Sequence, residues 1–345
     1  MKANKSIAKW APFEALPAYL GGKRRLCRVL FSALEGVLPR ARWRGSTFID
    51  PFLGGGSVSL MAKAMGFRVI CNDLALRSAA IGHGLIENGY ERLSIADLAA
   101  LLQTPARHYR KVAEERYTPS VFSKSHARCL DRALHNANHF SGYKRSLAQL
   151  LIVKWMLRVQ PMSMLRGTDA RAAFEGDLDR VSSRRLRHYM DSAKLLRPAA
   201  WIGLMQDVNK GVFAGRGESH QIDALAFLGE AAGDVVYLDP PYPGTTSYER
   251  EYAVIDDLLE GSAHETSRYS QSALSITELL AACTTVPVWV ISLNNSALAL
   301  PELEDLVRRH KTNISSIQVP FEHLGSIASE EKNELNREFI VVASN

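Results

Sequence analysis

Apolar residues change their spacing three times along the 345-residue chain, and each change predicts a change of structure. From 46 to 73 the order is STFIDPF, LGGG, SVSLMAKAMG and FRVICND. Two short apolar runs thus flank a glycine loop and a stretch with helical spacing, which predicts the opening of a parallel α/β sheet. Between about 74 and 198 strand patterns nearly vanish. IADLAALLQ, SLAQLLIVKWMLRV and SRRLRHYMDSAKLL carry helical spacing, and Pro198 is expected to end the last of them. Past 200 the short apolar runs return as WIGLMQ, DVVYLDP, PVWVISLN, NISSIQV and EFIVVAS. Helical stretches (QIDALAFLGEAA, SITELLAACT, PELEDLVRRH) separate most of them. Seven strands are therefore predicted, two before the helical block and five after. The fold class expected is α/β, a doubly wound and mostly parallel seven-stranded sheet interrupted by a helical insertion. Residues 243–273 are polar without a clear apolar period, so a long loop of the kind that serves as a functional lid is expected there.

Composition narrows the class. At 46% hydrophobic and 23% charged, the chain is an ordinary folded protein, which excludes a wholly disordered, collagen-like or coiled-coil molecule. Its length exceeds what one core usually fills, so a second lobe or insertion is expected. Residues 1–20 contain no continuous apolar core and do not read as a signal peptide. The most apolar stretch, 147–159, is too short for a membrane span and is broken by Lys154. The cysteines at 27, 71, 129 and 283 form no CxxC pair, which argues for reduced thiols in the cytoplasm, without disulfides or zinc. His135 and His139 have i, i+4 spacing, but no third ligand accompanies them and no metal site is expected. Trp155, Met156 and Met162 read as insertion core rather than as a base-stacking platform.

The net charge of +6 hides an asymmetry. Residues 1–200 hold 33 Lys and Arg against 15 Asp and Glu, while 201–345 hold 9 against 21. Residues 101–200 alone carry 19 against 8. Such a block is either a solvated helical surface or the footprint of a polyanion, and charge alone does not choose.

Three constellations carry candidate chemistry. Asp50-Pro51-Phe52-Leu53-Gly54-Gly55-Gly56 lies at a strand end, where ligands bind in doubly wound sheets. Its glycines allow close backbone approach, although a simple strand-to-helix turn would use them too. GGGSVS lacks the third glycine of a dinucleotide fingerprint, which disfavours a nicotinamide-binding oxidoreductase. An acid directly before the loop suits a cationic ligand better than a pyrophosphate. Asn72-Asp73 ends the next strand, where an acid either accepts from ribose hydroxyls or caps a helix. Together these imply a ligand with a ribose, no phosphate and a cationic or zwitterionic end, as in S-adenosylmethionine. The third constellation is Val235-Val236-Tyr237-Leu238-Asp239-Pro240-Pro241-Tyr242. Consecutive prolines remove two backbone donors and leave nearby carbonyls free to accept. A carboxylate and a carbonyl at one rigid point can both accept from an exocyclic amine, and the tyrosine can stack on a flat base.

DPFLGGG, then ND, then DPPY, preceded by Tyr19-Leu20-Gly21-Gly22-Lys23, resembles the Dam-type (alpha-group) adenine-N6 DNA methyltransferases, and the motif order is that family's. The closing Glu338-Phe339-Ile340-Val341-Val342 resembles its last strand. The resemblance implies a seven-stranded methyltransferase sheet with a helical target-recognition insertion. The core would be 1–90 and 201–345, and the basic insertion 91–200. It also implies S-adenosyl-L-methionine as methyl donor and double-stranded DNA as partner, with room for a cognate restriction or defence-system component. By the same resemblance Tyr19, Gly22 and Lys23 hold the donor's methionine end, Asp50 faces its amino group, and Phe52, Gly54 and Gly56 shape the loop. Asp73 takes the ribose hydroxyls, and Asp207, after the expected strand WIGLMQ, accepts from the donor's adenine. Asp239, Pro240, Pro241 and Tyr242 form the edge that holds the target adenine for methylation after base flipping. Two other readings keep the sheet but change the substrate: an RNA or protein amine methyltransferase, or a non-catalytic methyltransferase-like DNA-binding subunit. The basic insertion and the upstream GGK weigh against a small protein substrate, and the intact motifs weigh against a subunit without catalysis.

Overall fold

The computed structural model describes residues 10–160, 183–241, 248–260, 276–295, 297–320 and 337–345. Its centre is a sheet of β1 (Thr47–Asp50), β2 (Arg68–Asn72), β3 (Arg216–His220), β4 (Val235–Leu238), β5 (Val288–Asn294), β6 (Asn313–Pro320) and β7 (Arg337–Ser344). The strand order is β3-β2-β1-β4-β5-β7-β6. The first five strands run parallel, and β7 lies antiparallel between β5 and β6. The order turns back between β1 and β4, so the carboxyl ends of these neighbours frame the crevice where a doubly wound sheet binds its ligand.

Alternation along each strand builds two cores. Phe48, Val69, Val235, Tyr237, Val290 and Ile340 enter the larger buried cluster with α1 (Cys27–Glu35), α2 (Ser57–Met65) and the helical block. Their neighbours Ile49, Ile70, Val236, Leu238, Ile291 and Val341 enter a second cluster on the other face. There they meet Phe227, Leu279 and Leu303, which lie on three of the later helices. Covering both faces is what makes the central strands continuous apolar runs.

The helical block comprises α3 (Leu76–Ile81), α4 (Ile95–Leu102), α5 (Val112–Arg116), α6 (Lys124–Ala137), α7 (Gly142–Val159) and α8 (Ser183–Ser192). The long α7 is buried nearly all round, through Leu147, Leu150, Leu151, Trp155 and Met156. Its Lys154 ammonium is capped by the carbonyls of Glu14 and Leu16, which pins the N-terminal segment to the block. The block shares one continuous core with the larger face of the sheet. Among the described residues no helix is long and apolar enough to cross a membrane. No group of three or more His, Cys, Asp or Glu is placed to hold a metal among them. The four cysteines are free and buried.

Two expectations are corrected. WIGLMQ is not a strand but part of α9 (Pro198–Lys210), and Pro198 opens this helix instead of closing the previous one. Trp201, Leu204, Met205 and Val208 are its buried residues, at helical spacing, and proline is favoured in a first helical turn. The strand displaced from there is β3, RGESH, a polar edge strand paired on one side only, with β2. The stretch 243–273 is not all loop either. It contains α11 (Tyr248–Glu260), which follows α10 (Ala224–Glu230) and buries Tyr252, Ile255, Asp256 and Leu258. The remainder, 243–247 and 261–273, lies outside the described residues. Helices α12 (Ile276–Ala282) and α13 (Leu300–Arg308) complete the second face.

Candidate active site

Strand β1 delivers Asp50 to the carboxyl edge of the sheet, where it is 1% exposed. Its Oδ2 accepts from Ser59 Oγ at 2.6 Å and its Oδ1 from the Phe52 amide at 3.2 Å. Burial pushes this carboxyl up to about 7, and the nearby charges of Asp239 and Asp73 act in the same direction. Phe52 turns to the other face of the sheet and packs on its core. Gly54 and Gly56 are left-handed, with φ of 50° and 72°, and a Cβ at Gly55 would come within 2.7 Å of Tyr19 Cβ. The loop therefore needs glycine both for its turn and for its contact with Tyr19.

Strand β2 supplies the second corner. Asn72 ties its end to Pro51 and Ile222. The Asp73 carboxylate receives the Gly54 amide at 2.7 Å and the Ala75 amide at 2.9 Å, so it fastens the glycine loop to the start of α3. Asp73 is thus not the N-cap expected as the alternative to a ribose contact: the N-cap residue of α3 is Ala75, which has no side-chain cap, and Asp73 instead ties the loop to that residue.

The N-terminal motif closes the third side. Tyr19 lies against the glycine loop and stacks on Tyr252 of α11, with ring centroids 5.0 Å apart. The Tyr252 hydroxyl accepts from the Leu20 amide at 3.0 Å. Arg77 of α3 sits 3.9 Å over the Tyr252 ring and forms a buried ion pair with Asp256. Gly22 closes a tight turn, its amide donating to the Tyr19 carbonyl at 3.2 Å. Lys23, 3% exposed, places its ammonium 2.9 Å from Asp239 Oδ1, 3.3 Å from Glu338 Oε1 and 3.1 Å from the Gly21 carbonyl. The GGK and DPPY motifs, far apart in sequence, thus meet through one ion pair. Pro240 is buried and Pro241 half-buried behind Asp239, and Tyr242 lies outside the described residues. Burial, reinforced by the carboxylates of Asp239, Asp50 and Glu338, holds the Tyr237 phenol well above its ordinary range. Among the described residues, Asp50, Asp239 and Glu338 gather near the ammonium of Lys23 at this edge of the sheet, with Asp73 at the end of the neighbouring strand, which makes the edge rich in acids.

Asp207 does not join the site as expected. It lies on α9, where Lys210 pairs with it at 2.9 Å, and not at a strand end. The acid beyond the true β3 is Asp223, whose Oδ1 accepts from the Leu225 and Ala226 amides and caps α10. Sequence reasoning also missed Arg77, Tyr252, Asp256, Ser292 and the buried role of Glu338. The last had a signal, a lone acid at the head of an otherwise apolar strand.

This sheet order, with a glycine loop and an Asp-Pro-Pro edge on neighbouring strands, is that of an α/β methyltransferase fold. More narrowly, the family model for D12 class N6 adenine-specific DNA methyltransferases matches residues 19–154. It is also similar to the Type II methyltransferase M2.HphI of Haemophilus parahaemolyticus. The two are 25% identical over 342 residues, covering 95% of this chain and 97% of that protein. The chain is an adenine-specific DNA methyltransferase, and its reaction uses a methyl donor.

Proposed function

We propose that the chain transfers a methyl group from S-adenosyl-L-methionine to adenine N6 at a specific site in double-stranded DNA, within a restriction-modification setting. The observation that carries this reading is the Lys23–Asp239 ion pair, which joins the N-terminal motif to the acceptor edge beside the glycine loop. The acid-rich edge fits a donor with a cationic end, because Asp50 ionises more readily when a positive group arrives. Asp50, Asp73 and the Tyr19–Gly22 turn would hold that donor, with Phe52, Gly54 and Gly56 shaping the loop, and Asp223 replaces Asp207 as the acid near its base. When bound, it supplies an electrophilic methyl on a sulfonium.

The protein's own residues then act on the amine. Adenine N6 is a poor nucleophile because its lone pair is delocalised into the ring. Asp239 and the Pro240 carbonyl accept from the amine and localise that pair, and Lys23 keeps Asp239 ionised to do so. Asp239 also stands ready to hold the proton that the methylated nitrogen gives up. Positioning and fixed charge provide the catalysis. Asp239 is only 19% exposed, and a base still stacked in a duplex does not bring its amine to so recessed an acid. The target adenine therefore leaves the stack and meets Pro241 beside Asp239, with the DPPY tyrosine, Tyr242, proposed as its stacking partner. The basic 91–200 block reads the flanking sequence and holds phosphates. The test is Asp239→Ala, which abolishes N6-methyladenine formation while donor binding, followed by calorimetry, persists. Transfer near the unmodified rate would reject the assignment.

A further inference from the structure

Glu338 heads β7 and is fully buried, an expensive place for a carboxylate unless it is paired and hydrogen-bonded. Two groups hold it. Ser292 Oγ on β5 donates to Oε1 at 2.5 Å, and Lys23 Nζ lies 3.3 Å from the same oxygen. The β5–β7 register opposes Asn294 to Glu338 and Ser292 to Ile340, so Ser292 and Glu338 are diagonal neighbours on one face of the sheet. Lys23 in turn reaches Asp239 at 2.9 Å. A serine, a buried acid, a buried lysine and the acceptor acid thus form a chain from the antiparallel end of the sheet to the crevice.

We infer that Glu338 is a positioning residue for methyl transfer, acting on Asp239 through Lys23. A lysine ammonium on a flexible four-carbon stem has no preferred direction of its own. Shared between two carboxylates, it is fixed in place and gives Asp239 only part of its charge and of its three protons. With Glu338 removed, a larger share of the ammonium's charge and protons turns on Asp239 and competes with the target amine for the same acceptor. The chain of contacts also fixes the Asp239 side chain to two strands of the sheet, where small displacements of a reacting group are costly. The inference rests on the acceptor role proposed for Asp239.

The test uses single-turnover methyl transfer at saturating S-adenosyl-L-methionine and duplex DNA, with donor affinity by calorimetry and thermal unfolding alongside. Glu338→Ala should slow transfer by at least about tenfold while donor affinity stays within about twofold. Glu338→Gln should recover most of that loss, because its amide oxygen still accepts from Lys23 and Ser292. Ser292→Ala, which spares the acid and its fold, should slow transfer by a few-fold. Transfer at the unmodified rate in Glu338→Ala overturns the inference, as does Glu338→Gln being as slow as Glu338→Ala. If Glu338→Ala does not fold, an unchanged rate in Ser292→Ala overturns it instead. Asp239→Ala separates the two levels. Transfer that survives in it rejects the acceptor role itself, whereas loss there beside an intact Glu338→Ala enzyme rejects only the role of Glu338.

Discussion

Asp50 is the acid whose protonation the site controls most directly. Its ordinary value is 3.8 and burial lifts it to about 7, so below neutrality the free enzyme holds a neutral carboxyl there. If Asp50 faces the donor's cationic end as proposed, that charge favours the ionised form, binding expels a proton at acid pH, and donor affinity rises with pH until about 7 and then levels. Calorimetry in two buffers of different ionisation enthalpy should detect up to about one proton released per donor bound, and none in Asp50→Asn. The same shift marks stability. The folded carboxyl holds a proton that the unfolded chain has lost, so its contribution is fully present below 3.8 and is lost as pH rises through about 7. Unfolding of Asp50→Asn should lack that dependence. The placement of Asp50, Asp73 and Asp239 at the carboxyl edge was legible because each ends or directly follows an apolar strand beside a turn. Glu338 and Arg77 were not, because their partners Lys23 and Asp256 come from distant parts of the chain and only folding brings them together.

Among the elements, α11 decides how the acceptor edge is joined to the donor side. It follows the DPPY segment and packs back on α3, with Tyr252 on Tyr19 and Asp256 on Arg77. Both charges of that pair are 7% exposed. Removing Asp256 leaves the Arg77 charge buried without its ion pair, so Asp256→Ala should lower stability by up to roughly 3–5 kcal/mol in urea unfolding. The double change Arg77→Leu with Asp256→Leu should cost clearly less, and an equal or larger loss would mean that the ion pair is not what holds the helix. The pattern hid this helix because its apolar positions, Tyr252, Ile255, Leu258 and Leu259, are interleaved with acids in a polar region. The central strands were readable since burial on both faces leaves few polar positions inside them, Ser292 of β5 among these. The edge strand β3 was not, because RGESH needs no apolar residue on its open side. Six residues of WIGLMQ satisfy a strand and a helix equally, and only the proline at the start of α9 favours the helix.

For the molecule as a whole, the charge asymmetry becomes a surface. His188 of α8 bonds the Val159 carbonyl at 2.9 Å, which brings Arg187 and Arg158, both exposed, to the same end of α7. Arg184 and Arg185 share α8, and their side chains lie outside the described residues. If this end contacts phosphates, the salt dependence of DNA affinity should flatten by about 0.9 in slope for each contacting arginine removed. Arg158→Ala with Arg187→Ala should therefore lose up to about two units on cognate and random duplexes alike, with donor affinity unchanged. An unchanged slope in a fluorescence-anisotropy titration would make these residues a solvated surface. The central claim is that the Asp239 edge methylates adenine N6 in DNA. Its most direct measurement is a map of modified bases, by single-molecule sequencing, in DNA from a methylation-free host expressing the chain or its Asp239→Ala variant. The expected result is N6-methyladenine at one short recurring sequence with the unaltered chain and none with the variant. Unmodified DNA with the active chain, or the same map from both, would contradict it.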